Sequence, residues 1–164
     1  MQVKPKIFFL LIIMSVIGLI SAITVLYEIQ VVHTLPPLCT IPTASISGVA
    51  INCAKVLLSP YGEINGVPLE LLAAVWFIIN ISLVSVVSFT NRKTSRKTLK
   101  FLFFWRFLGI LIVPYLVYLE LFVVKSICLY CTVMHIAIII DFVIISYFLF
   151  SSKSHLYIEY RKPD

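Results

Sequence analysis

The chain has 164 residues, of which 61% are hydrophobic and only 12% charged, and its mean hydropathy is +1.08. Soluble domains are about half apolar and about a quarter charged, so these figures exclude a soluble globular domain and point to an integral membrane protein with one compact membrane domain over residues 1–164. The net charge of +6 is no sign of nucleic-acid binding, because the basic residues mark the connections between apolar runs.

The first apolar run, residues 7–27, carries no charge. Lys4 and Lys6 before it and Ser21-Ala22 at its end resemble the edges of a secretory signal. A signal core is only about 7–15 residues long, however, and a spanning helix needs about 20, so a retained helix is expected. Residues 28–68 are the only long extramembrane stretch. Pro36-Pro37, Pro42, Gly48, Ser59-Pro60-Tyr61-Gly62 and Asn65-Gly66 are its turn signals. Residues 49–58 are mostly apolar and too short to span, which predicts a short helix at the membrane interface.

The second run, 71–89, is uncharged; Pro68 suits its first turn and Glu70 its positive end. The third, 101–119, contains Arg106 and Pro114, and the fourth, 126–150, contains His135 and Asp141. A few residues around Val124 and Lys125 join the last two, which are therefore antiparallel neighbours. The expected fold is an all-α bundle of four transmembrane helices with a long loop between the first two. Arg106 and Asp141 are expected to pair between spans three and four, Pro114 to kink its helix, and Trp76 and Trp105 to pack or anchor at the interface.

Lys4 and Lys6 precede span one, Arg92, Lys93, Arg96, Lys97 and Lys100 lie between spans two and three, and Lys153, Arg161 and Lys162 follow span four. The other connections hold only Lys55 and Lys125. The positive-inside rule then makes both termini and the 91–100 loop cytoplasmic and the 28–68 loop extracytoplasmic.

That topology puts all four cysteines, Cys39, Cys53, Cys128 and Cys131, on or near the side where disulfides persist. Cys128-Leu-Tyr-Cys131 opens span four. Ser126 is a candidate cap there, and the unpaired N–H groups and dipole of a helix start favour a thiolate at Cys128. At about 1.5 Å per residue, Cys131 lies roughly 4–5 Å deeper than Cys128, and His135 about 6 Å deeper again on the same face. An outer thiol, an inner thiol and a polar group in that order suit electron transfer from an aqueous partner to a quinone in the lipid bilayer, with His135 as hydrogen-bond donor to a quinone carbonyl. The plainer readings are two static disulfides and a histidine bonded to a neighbouring helix. Zinc binding is disfavoured, because its ligand pairs come as two short-spaced knuckles, and c-type haem needs a histidine where Thr132 stands. Glu120 reads equally as a group serving the thiols or as an exposed interfacial carboxylate.

Cys128-Leu-Tyr-Cys131-Thr-Val-Met-His135, together with Asn52-Cys53-Ala-Lys-Val-Leu-Leu-Ser59-Pro60-Tyr61-Gly62 and Asn65-Gly66-Val-Pro68, resembles the vitamin K epoxide reductase family, especially its prokaryotic members, over residues 39–141. The resemblance implies a four-helix bundle around a quinone such as ubiquinone or menaquinone. It implies that Cys39 and Cys53 are a shuttle pair, Cys39 meeting a partner's thiol and Cys53 attacking Cys128, and that Cys131 faces the quinone. It also implies a quinone pocket in which His135 offers a hydrogen bond and which Tyr61, Asn65, Leu57 and Leu116 line or cap. Thirteen residues separate Cys39 from Cys53, more than the family's usual spacing. The thioredoxin-like domain fused to many bacterial members has no counterpart in these residues, which implies a separate secreted or membrane-anchored thioredoxin-like donor. The bacterial disulfide-bond-forming protein B is also a four-helix quinone reductase, but there the C-x-x-C comes first in the chain. The expected function is thiol:quinone oxidoreduction driving disulfide formation. Quinone-epoxide reduction and a non-enzymatic scaffold with structural disulfides are the alternatives.

Overall fold

An uncharged run in a bilayer finds no water for its backbone, so it closes its own hydrogen bonds as a helix. Four helices of the computed structural model are long and apolar enough to cross a membrane. The structure describes residues 5–36, 39, 45–46, 49–89 and 92–150; Lys4, Pro37, Pro42, Gly48, Lys153, Arg161 and Lys162 lie outside them. In chain order the elements are α1 (Pro5–Tyr27), β1 (Ser45–Ile46), β2 (Val49–Ile51), α2 (Cys53–Leu57), β3 (Glu63–Ile64), β4 (Val67–Pro68), α3 (Leu69–Phe89), α4 (Arg92–Tyr118), β5 (Ser126–Ile127) and α5 (Leu129–Phe150). The protein is an all-α bundle with four membrane-spanning helices and a long loop between the first two.

Three boundaries differ from the sequence expectation. The basic stretch from Arg92 to Lys100 forms the first turns of α4 rather than a loop; lysine and arginine are good helix formers. The interfacial helix expected over 49–58 is divided. Val49–Ile51 is a strand, and only Cys53–Leu57 is helical, capped by the Asn52 side chain accepting the Lys55 N–H at 3.1 Å. Span four begins its helix at Leu129, because Ser126–Ile127 pairs with β2 instead.

Helix α1 packs on α3 and α5, and α4 packs on the same two. Leu11, Ser15, Gly18, Ala22 and Val25 form the buried seam of α1, at the alternating four- and three-residue spacing of close helix pairs. Small residues let the backbones approach; a Cβ on Gly18 would sit 2.1 Å from the Phe77 ring of α3. One apolar layer groups Leu11, Val84, Leu102 and Ile145, and a second groups Ala22, Ala74, Phe77, Met134 and Ala137.

Between these layers lies a polar knot with one member from each spanning helix. The Arg106 guanidinium is 3.4 Å from the Asp141 carboxylate, both fully buried. Ser15 Oγ donates to Asp141 at 2.8 Å, Arg106 Nε to the Asn80 amide oxygen at 3.1 Å, and Arg106 Nη1 to the Asp141 carbonyl at 2.9 Å. The expected pair is present, and in a bilayer such charges persist only with partners of this kind. Pro114 lies inside α4.

At the C-terminal ends of α1 and α4 each helix finishes in a π turn, Glu28–Val32 and Leu119–Val124. His33 and Lys125, both in the left-handed region, close these turns by donating their N–H groups to the Glu28 and Glu120 carbonyls. The small sheet at this end has the order β1-β2-β5. Asn65 (φ 52°) and Gly66 (φ 78°) make the two-residue β3–β4 turn, where two positive φ values favour Asn-Gly.

Candidate active site at the cysteine end of the bundle

Strand register brings the two distant cysteines together. β2 runs parallel to β5 with Ile51 opposite Ile127, and the Asn52 N–H donates to the Ile127 carbonyl at 3.1 Å. The chain then continues into Cys53 on one side and Cys128 on the other, both buried. Cys128 takes the capping place of α5. Its Sγ accepts the Cys131 N–H at 3.4 Å, and its carbonyl accepts both the N–H and the hydroxyl of Thr132 at 2.9 Å. Ser126 is not the cap, because strand pairing holds it in β5, where its Oγ is buried without a hydrogen-bond partner.

The thiols form an unbroken chain. Cys39 lies beside Cys53, Cys53 beside Cys128, and Cys128 beside Cys131, each near enough to shift its neighbour's proton affinity. The long Cys39–Cys53 spacing therefore does not keep these two apart. All four are free thiols.

In this reduced state the thiols hold their protons. Burial, and then the hydrogen bond to Cys53, push Cys39 up from its ordinary value. Cys53 is raised first by its hydrogen bond to Cys128 and then by burial. Cys128 is raised first by its hydrogen bond to Cys131. The thiolate expected at Cys128 from the helix start is thus outweighed while four neutral thiols are stacked together.

Below Cys131 lies a cavity of about 100 Å³ between the 56–62 segment, α3, the end of α4 and α5. Leu57, Tyr61, Leu116, Cys131 and His135 line it. Asn65 does not, because it is committed to the exposed β3–β4 turn. The His135 imidazole is 8% exposed and has no hydrogen-bond partner among the described residues. A wall of leucine, valine, alanine and methionine with few convergent polar groups fits an apolar ring bearing a carbonyl.

Two carboxylates complete this wall. Glu70 and Glu120 are each 7% exposed and line the cavity. The sequence reading gave Glu70 only a helix-dipole role. Its place at the head of an uninterrupted apolar run was the available signal; its burial comes from the loop folded over it.

A four-span helix bundle with closely spaced cysteines strung end to end is a multi-pass membrane protein built for redox chemistry. The profile of the Vitamin K epoxide reductase family matches residues 9–146, and the chain belongs to that family. No curated protein compared with the chain matches it.

Proposed function

We propose that the protein is a membrane thiol:quinone oxidoreductase that oxidises a separate extracytoplasmic thioredoxin-like protein and so drives disulfide formation. The observation that carries this reading is the order of contacts: Cys39 meets Cys53, Cys53 meets Cys128, Cys128 meets Cys131, and only Cys131 of the four lines the apolar cavity. The basic residues at both termini and between spans two and three support the orientation, with the whole chain as one membrane domain.

In this mechanism the partner's dithiol reduces the Cys39–Cys53 disulfide by exchange and leaves oxidised. The Cys53 thiolate then attacks Cys128 in a Cys128–Cys131 disulfide, forming Cys53–Cys128 and releasing the Cys131 thiolate, which takes up the proton that Cys53 gave up. The Cys39 thiolate closes on Cys53, restoring the first disulfide and freeing Cys128. A bound quinone, the family's usual cofactor, supplies an acceptor of two electrons and two protons. Cys131 delivers the electrons from the cavity wall, and His135 donates a hydrogen bond to a carbonyl oxygen where charge develops. Leu57, Leu116 and Tyr61 hold the ring and exclude water.

The test is purified protein in lipid with a reduced thioredoxin-like donor, given a quinone and a quinone epoxide in separate assays. One quinol formed per donor disulfide supports the proposal. Turnover of the epoxide alone would replace it with an epoxide reductase, and turnover of neither would refute both.

A further inference from the structure

A second cavity, about 410 Å³ and lined by the more polar side chains Gln30, Glu63 and Ser59, lies between the end of α1 and the 57–70 segment. The two cavities share one wall, made of Leu57, Ser59, Gly62 and Glu70. Glu70 is the only titratable side chain in that wall. Its carboxylate sits on the first turn of α3 and is buried. Glu70 and Glu120 are both near enough to Cys131 for their charges to act on it. The Ser59 hydroxyl is committed to the Val56 carbonyl at 2.7 Å.

We infer that Glu70 conducts protons between the outer cavity and the cavity beside Cys131; this rests on the thiol:quinone reading. Closing the Cys128–Cys131 disulfide breaks two S–H bonds, forms one S–S bond and sends two electrons to the quinone, whose two oxygens take up two protons. The Cys131 proton leaves directly into the quinone cavity. Cys128 does not line that cavity, so its proton and the second quinone proton need a carrier. A carboxyl group in an otherwise apolar partition can take a proton on one side and release it on the other without admitting bulk water. Thiol exchange upstream uses no group of this wall.

The experiment compares wild type with Glu70→Gln, Glu70→Asp and Glu63→Gln, the last changing an exposed carboxylate of the outer cavity only. Glu70→Gln is expected to slow quinol formation about a hundredfold, with single-turnover reduction of its cysteines by the donor unchanged. Formate, a small weak acid, restores the rate, and Glu70→Asp retains most of it. In quinone-free protein, the oxidised-minus-reduced infrared difference spectrum contains a carboxylic carbonyl band that Glu70→Gln removes and Glu63→Gln leaves. If wild type forms quinol and Glu70→Gln stays within about twofold of it, or the band survives that substitution, the inference is overturned while the functional reading stands. If wild type forms no quinol, the functional reading fails and the inference falls with it.

Discussion

Cys128 Sγ accepts the backbone N–H of Cys131 at 3.4 Å, so the outer cysteine of the pair is the N-cap of its own helix. Redox chemistry and helix initiation therefore meet in one side chain. Cys128→Ser preserves an oxygen cap and Cys128→Ala removes it. Both variants lose turnover, but the alanine variant is expected to be less stable by about 1 kcal/mol. Thermal unfolding of the two in the same detergent checks this.

The contact order predicts which disulfide accumulates when one thiol is removed. In Cys131→Ala, the exchange partner of Cys128 is Cys53, and a Cys53–Cys128 bond is expected after mild oxidation. Differential alkylation followed by peptide mass mapping reads it directly. A dominant Cys39–Cys128 bond would contradict the order.

The knot of Ser15, Asn80, Arg106 and Asp141 links all four spans. Asp141→Ala leaves a buried guanidinium without its counter-charge and is expected to cost about 3–5 kcal/mol. Replacing the pair together by Arg106→Met and Asp141→Leu removes both charges and is expected to recover most of that loss. Ligand-free unfolding in lipid or detergent distinguishes these outcomes.

Cys39, Cys53 and Cys128 are all held above the ordinary thiol value of 9.0 by hydrogen bonds and burial. The unfolded chain releases these protons first, so the reduced fold loses stability as pH rises through about 9 and is unaffected below it. The melting temperature of the reduced protein is expected to be flat from about pH 7 to 8.5 and to fall above that range. The oxidised protein, with no thiol protons to lose, lacks this fall.

The four spans were legible because apolar runs of sufficient length leave the backbone one solution in a bilayer, and the Arg106–Asp141 pair because charges inside such runs need each other. The 49–58 segment was not. Its apolar content is the same for an interfacial helix and for a strand, and the partner that decides it, Ser126–Ile127, lies far along the chain. The same pairing moved the helix cap from Ser126 to Cys128. Among the proposed pocket residues, Leu57, Tyr61, Leu116 and His135 face one cavity. Asn65 carried two signals, a family position and an Asn-Gly turn, and the turn determines where it sits. Burial of Glu70 and Glu120 depends on a loop covering helix ends, which no local pattern encodes.

The central claim is that electrons leave the protein through Cys131. The measurement is quinol formation by purified protein with a reduced dithiol donor, in wild type and Cys131→Ala. Sustained turnover in wild type and none in the variant is the expected result. Turnover untouched by the substitution, or none with any quinone while the cysteines keep one redox state, would contradict the account and favour a scaffold with structural disulfides.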